Sequence, residues 1–380
     1  MAPLRGRLAE YLDTENAAAK LLLQDGVAIV RVCSEEEAAA LCSAIWDDLE
    51  GLGTGIDRND PATWTNDRWP QTTHGLLQNQ SFGLREGVCI ARLKCVEAFK
   101  ALFNGVAVNS SFDAISVARP DGQDRAYQKE ERLNKRYGEA ELVSSWLHID
   151  QSNFKANCLQ HIQGGFAVTP LGVAEQRTQF IIPPEGETIQ AFRDRFLGAF
   201  PPSEDAKTSD PERSEWISFA LKDKVEDTDP LVIAKRNWLI ANGRVYTPTL
   251  KAGEMVLWDS GVPHASIPGP RVAPGQKRRL RMSTFVSMAP APLVPSDERV
   301  ARDKMLHDGN TSGHRVTTRG KRGQVLACKF AKTGRTYGKE VPAFDEGRVV
   351  RASKRVLAES DEPEWSVARK THRLCAGAGL

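Results

Sequence analysis

Between residues 142 and 182 the chain carries three short runs in which apolar and polar residues alternate: LVSSWLHID, CLQHIQGGFAV and QFIIP. Alternation with a period of two places every second side chain on one face, so these runs predict an antiparallel sheet with one buried face. Strand character returns at WLIANGRVY (238–246), GEMVLWDS (253–260) and RLRMSTFVSMAP (279–290). Strands on both sides of a long interruption, with helices grouped ahead of them, favour a β-sandwich or jelly roll with appended helices over a doubly wound α/β sheet. The expected class is therefore α+β with a mainly β core.

The N-terminal part supplies the helices. GVAIVRV (26–32) has the β-branched content of a buried strand, and Ser34 followed by EEEAAALCSAIWDDLEGL predicts a helix. Ser34 is placed to cap it, with Glu37 closing a capping box and acidic residues in the first turn, until Gly51 and Gly53 stop it. Residues 54–82, rich in Asn, Gln, Thr and Trp, predict a long ordered loop. A helix is expected over 87–106 and a strand over 110–120, followed by a charged, exposed stretch from 121 to 141. Residues 183–235 read as an insertion with a helical piece around ETIQAFRDRFLGAF. The expected organisation is one domain over 1–300, with a basic extension over 301–380 packed on the core or trailing from it.

Composition narrows the class further. With 380 residues, 41% hydrophobic and 26% charged, the chain is long enough to bury a large core and is neither disordered nor collagen-like. Its apolar runs are far shorter than the ~20 residues of a membrane helix, and its first residues lack an apolar signal region, so a cytoplasmic location is expected. Seven scattered cysteines without a C-x-x-C pair predict reduced, buried thiols. The net charge of +2 conceals an asymmetry, because residues 311–380 hold 15 Lys/Arg against 7 Asp/Glu. Attraction for an acidic partner would reside there.

The chemistry-bearing residues are His148, Asp150 and His264. His148 and Asp150 stand two apart in a predicted strand and so share a face. His264 follows the predicted strand ending near Asp259, across the turn Gly261–Val262–Pro263. Two imidazoles and one carboxylate on a rigid β scaffold form a facial triad suited to non-haem Fe(II), which leaves positions open for cosubstrate and O2. His-x-Asp alone also fits an exposed strand histidine beside a surface aspartate; its context strengthens the metal reading.

That context is Arg281–Met282–Ser283, again a pair sharing one strand face. An arginine fork binds a carboxylate bidentately and a neighbouring serine hydroxyl donates a further hydrogen bond, as the distal carboxylate of 2-oxoglutarate requires. Flanking Leu280, Met282 and Phe285 bury the strand, and a buried arginine demands an anion.

From roughly residue 20 to 300 the sequence resembles the phytanoyl-CoA dioxygenase-like branch of the Fe(II)/2-oxoglutarate-dependent oxygenases. The resemblance lies in Gly26–Val30, Ser111–Phe112–Asp113, Trp146–Leu147–His148–Ile149–Asp150–Gln151, Gln163–Gly164, Trp258–Asp259–Ser260 with His264, and Arg281 leading to Met288–Ala289–Pro290. It implies a double-stranded β-helix (jelly roll) with flanking N-terminal helices, iron held by His148, Asp150 and His264, and 2-oxoglutarate held by Arg281. Implied with these are O2 as oxidant and ascorbate as a candidate stimulant. The spacing of 17 residues from His264 to Arg281 is longer than the family usually shows, which leaves Arg279 as a competitor; Ser283 favours Arg281. The family's Gly-Ser-His turn is replaced by Pro183–Pro184–Glu185–Gly186, so substrate does not carry over.

Other features carry less. His74 and His161 fit loop and strand roles, and His307 and His314 lack zinc-finger partners. Gly51–Leu52–Gly53–Thr54–Gly55 follows a helix rather than a strand, which defeats a dinucleotide-binding reading. Trp64 and Trp69 fit either a lid over the site or packing of the loop onto the core. The expected activity is hydroxylation of an unactivated C–H bond of a small molecule, an anionic one being a candidate, with release of succinate and CO2. Asp150 favours hydroxylation over halogenation, which calls for a small residue there. The rivals are an oxygenase acting on nucleic acid through the basic segment 309–339 and a non-catalytic jelly-roll binding protein.

Overall fold

The computed structural model describes residues 8–70, 72, 75–77, 79–120, 123–152, 161–201, 215–270, 272–273, 277–294, 316, 334–335 and 340–341. His74, His307, His314 and nearly all of the basic segment 309–339 lie outside them.

Asn16 opens helix α1 (Ala17–Gln24) by accepting the N–H groups of Ala18 and Ala19. Strand β1 (Val27–Arg31) and helix α2 (Glu35–Glu50) follow. The capping box forms as expected: Ser34 Oγ accepts the Glu37 N–H at 3.1 Å, and Glu37 returns to the Ser34 N–H at 2.9 Å. The single helix expected over 87–106 is two, α3 (Glu86–Lys94) and α4 (Val96–Leu102), which join at Cys95. Gly105, at φ +74°, ends the second, in the left-handed region that glycine enters without a Cβ clash. Glycine matters at Gly87 for another reason, since a Cβ there would lie 2.7 Å from the Ala44 carbonyl carbon, so α2 and α3 touch backbone to backbone.

The strand expected over 110–120 is also divided, into β2 (Val108–Ser110) and β3 (Ile115–Ala118). The break is held from both sides. Ser111 N donates to Ser287 O, Ser287 N donates to Ser111 Oγ, and buried Arg92 donates to the carbonyls of Gly83 and Asp113. Residues within 121–141 form helix α5 (Gln123–Tyr137), largely exposed, with Leu133 and Asn134 buried.

The remaining elements are β4 (His148–Ser152), β5 (Ile162–Ala167), β6 (Arg177–Ile182), α6 (Ile189–Ala199), β7 (Glu215–Ser218), α7 (Pro230–Asn242), β8 (Arg244–Tyr246), β9 (Glu254–Asp259), β10 (His264–Ile267) and β11 (Arg281–Pro290). A two-residue pair, β12 (Gly334–Arg335) with β13 (Glu340–Val341), completes them. The expected strand over 238–246 is wrong for its first half: residues 238–242 finish α7. Asp229, whose side chain caps Leu231 N, and Pro230 in the first turn nucleate that helix, and Gly243 ends it.

The strands form two antiparallel sheets, one ordered β1-β9-β5-β11-β2 with β3 also on β11, the other β7-β4-β10-β6-β8. Both faces of the central strands β9, β5 and β11 of the first sheet are buried, and the alternation of residues divides them. Met255, Leu257, Ile162, Phe166, Met282, Val286 and Met288 pack against the N-terminal helices. Val256, Trp258, Ala167 and Phe285, one residue out of phase, join Phe180 and Ile182 of the second sheet. Phe180 meets Trp258 across the two sheets with ring centroids 5.7 Å apart. Burying each such aromatic contributes roughly 1.5–3 kcal/mol, so this inner face is both a core and a rigid wall.

The loop tryptophans belong to the helical side. Trp64 and Trp69 cluster with Trp46 of α2 at centroid distances of 5.3 to 6.5 Å, and Trp69 is buried. Of the two readings, packing is the one realised. Among the described residues, no helix is long and apolar enough to cross a membrane.

Candidate metal centre

Each element delivers one part of a compact polar cluster to the inner face of the second sheet. His148 begins β4 and His264 begins β10, and the two are direct partners in the antiparallel ladder. Asp150, two residues along β4, shares the face of His148. One ligand atom from each of the three lies within 4.8 Å of the others, a set that can hold a metal ion. Asp150 reaches both rings: Oδ1 is 3.3 Å from His148 Nε2, and Oδ2 is 3.3 Å from His264 Nε2.

Both rings are oriented the same way. His148 Nδ1 lies 2.9 Å from the carbonyl of Trp146, and His264 Nδ1 lies 2.9 Å from that of Val262, in each case two residues back along the chain. A carbonyl only accepts, so Nδ1 carries the proton in each neutral ring and Nε2 presents a lone pair. Two lone pairs then face a carboxylate, and three acceptors at such distances repel unless a cation stands among them. Protonating His264 is an unfavourable remedy, because burial and then the neighbouring His148 hold its pKa below the usual histidine value.

Aromatic rings clamp the imidazoles. Trp146 stacks on His148 at 4.6 Å, while Trp258 and Phe180 lie 5.3 and 6.2 Å from the His264 ring. The turn that carries His264 is braced by Asp259. Its Oδ1 accepts Gly261 N–H at 2.8 Å, its Oδ2 takes Arg193 Nη2 of α6 at 2.5 Å, and its carbonyl accepts Val262 N–H at 2.9 Å. Asp150 is held in turn by Gln163 of β5, whose Nε2 donates to Oδ2 at 3.2 Å.

Arg281 begins β11 and is 1% exposed. It shares the strand face of Ser283, also 1% exposed, and of Phe285, the residue that joins the inter-sheet core. Its guanidinium lies 5.9 Å from the Phe285 ring, and its Nε and Nη2 have no hydrogen-bond partner among the described residues. Burial pushes its pKa down to about 10. Arg279, the competitor on sequence grounds, is exposed. His161 stands just before β5, where its carbonyl accepts Ser260 N–H at 3.0 Å. Sequence reasoning placed the three candidate ligands together but missed the supporting roles of Gln163, Asp259 and Arg193. The one local signal was an aspartate just before the Gly261–Val262–Pro263 turn, a position where Asx side chains take backbone N–H groups.

No protein-family model matches the chain, and no curated protein matches its sequence. Solved structures similar to it include EctD from S. alaskensis with 2-oxoglutarate and 5-hydroxyectoine, at 10% identity and TM-score 0.40, covering 84% of this chain and 90% of that one. Two others are the non-heme alpha ketoglutarate dependent carbocyclase SnoK from nogalamycin biosynthesis (14% identity, TM-score 0.33, covering 77% and 88%) and AviO1 from Streptomyces viridochromogenes Tue57 (15%, 0.36, covering 75% and 97%). The chemistry of the site rests on its own residues.

Proposed function

We propose that the two sheets form a double-stranded β-helix of the phytanoyl-CoA dioxygenase-like kind and that the chain is an Fe(II)- and 2-oxoglutarate-dependent oxygenase. The observation that carries this reading is the presence, on the facing sides of the two sheets, of three acceptors suited to a cation and a buried guanidinium suited to an anion. A His-Asp-His set suits Fe(II) and leaves coordination positions vacant for a chelating 2-oxo acid. The far carboxylate of 2-oxoglutarate matches the fork of Arg281, and Ser283 stands on the same face as a second donor.

When bound, iron, 2-oxoglutarate and O2 supply the oxidising power, with the cosubstrate leaving as succinate and CO2 while a C–H bond of a small molecule is hydroxylated. The protein's own residues do the rest. His148, Asp150 and His264 hold the ion on two strands fixed by the ladder. Arg281 draws in and orients the cosubstrate. Trp258, Phe180 and Phe285 keep water from the inner wall, which strengthens both electrostatic contacts.

The test is succinate release from 2-oxoglutarate by protein loaded with Fe(II) under ascorbate, screened against a library of small metabolites. Release stimulated by a metabolite and abolished by chelation supports the reading. Succinate formed equally without iron contradicts it.

A further inference from the structure

Gln163 is 1% exposed in the middle of the first sheet, where its ladder partners are Trp258 of β9 and Ser287 of β11. Ile162 and Phe166, out of phase with it, face the helices, so Gln163 faces the second sheet. An amide in such a place is costly, because a buried polar atom left unpaired gives up its hydrogen bonds to water and gains none in return. Its two ends are treated unequally. Nε2 donates to Asp150 Oδ2 at 3.2 Å, whereas Oε1 is buried with no hydrogen-bond partner among the described residues. A carboxylate only accepts, so the NH2 end must be the one that faces Asp150. A residue placed there for packing would be a leucine or methionine; a glutamine that leaves its carbonyl unmatched is there for its NH2.

We infer that Gln163 is a positioning residue for the metal carboxylate, reaching from the first sheet to the second to hold Asp150 Oδ2 and fix the orientation of the carboxylate beside the two imidazoles. The inference rests on the metal reading of His148, Asp150 and His264. Without Gln163, Asp150 can rotate, and both oxygens compete for the two imidazoles and the ion. Losing a hydrogen-bond partner behind a metal ligand typically costs 10- to 100-fold in metal affinity.

Co(II) is the probe, because its visible absorption reports coordination and no turnover is needed. Gln163→Leu, with the volume-conserving Gln163→Met as a second variant should the first not fold, is titrated with Co(II) beside the native chain and Asp150→Ala. The expected result is a Kd about 10- to 100-fold higher with an altered Co(II) spectrum, and metal-free protein that melts no lower than native. In the Asp150→Ala background the Gln163 substitution should cost nothing further, since its partner has gone. Native affinity and spectrum in both variants overturn the inference and leave the metal site standing. An equal loss with and without Asp150 also overturns it, by showing a general packing effect. Native protein that takes up no Co(II) overturns the metal reading and this inference with it.

Discussion

His264 lies directly opposite His148 in the β4–β10 ladder, with ring centroids 4.6 Å apart. Because each ring is turned by the carbonyl two residues before it, strand pairing alone aims both Nε2 atoms at Asp150. Replacing His148, Asp150 or His264 by Ala should therefore lower Fe(II) affinity by more than the ~10- to 100-fold that losing a supporting hydrogen bond costs. The fold should survive, since three mutually repelling acceptors contribute no net attraction to the metal-free protein. Equilibrium metal binding and circular dichroism check both parts.

Arg281 gives the opposite pattern. A guanidinium buried, as that of Arg281 is, with no acidic partner among the described residues destabilises the ligand-free protein, and an apolar replacement of similar reach removes that cost. Arg281→Met should raise the Tm without cosubstrate and weaken 2-oxoglutarate binding at least roughly tenfold, the factor that 1.4 kcal/mol supplies. Exposed Arg279, changed to Ala, should alter neither by much. Thermal unfolding with and without 2-oxoglutarate measures both.

The brace behind His264 is an ion pair that is mostly buried, with side-chain exposures of 12% for Arg193 and 3% for Asp259. Arg193→Ala leaves the Asp259 carboxylate buried beside a turn it must hold, and breaking such a pair costs about 3–5 kcal/mol. Denaturant unfolding should show a loss of that order, together with weaker metal uptake because the turn carries the proposed ligand His264.

Asp48 of α2 accepts Gly87 N–H at 2.9 Å where α2 and α3 touch, and burial raises its pKa from 3.8 to about 7. A folded-state pKa above the unfolded one means that the native state holds the extra proton between those values. The stability so gained is full below about pH 3.8 and is lost as pH rises through about 7. Asp48→Asn should consequently be more stable than the native chain at pH 8, with the gap closing on acidification. Tm profiles of the two proteins across that range check the sign.

Local patterns were legible in the sequence wherever one segment contained the whole signal. The capping box needs only Ser34 and Glu37, and a shared strand face needs only residues two apart, so His148 with Asp150 and Arg281 with Ser283 could be paired by inspection. The run from Trp238 to Tyr246 misled because its apolar content suits either element; the deciding residues, Asp229 and Pro230, lie a turn or more upstream. Gln163 and Arg193 were opaque for a different reason. Their partners are Asp150 and Asp259, 13 and 66 residues away, and only the stacking of two sheets and α6 brings them together. A buried glutamine in an alternating strand is indistinguishable from a surface one until the opposite face is known to be covered.

On the proposed reading, the acceptor cluster and the buried guanidinium of Arg281 serve one ligand pair, an ion and 2-oxoglutarate. Calorimetric titration of 2-oxoglutarate into protein held anaerobically with and without Fe(II) tests it most directly. One equivalent of 2-oxoglutarate should bind when iron is present, at least roughly tenfold more weakly when iron is withheld or when Arg281 is Met. Binding of the same strength with and without iron, or undiminished by Arg281→Met, would contradict the account.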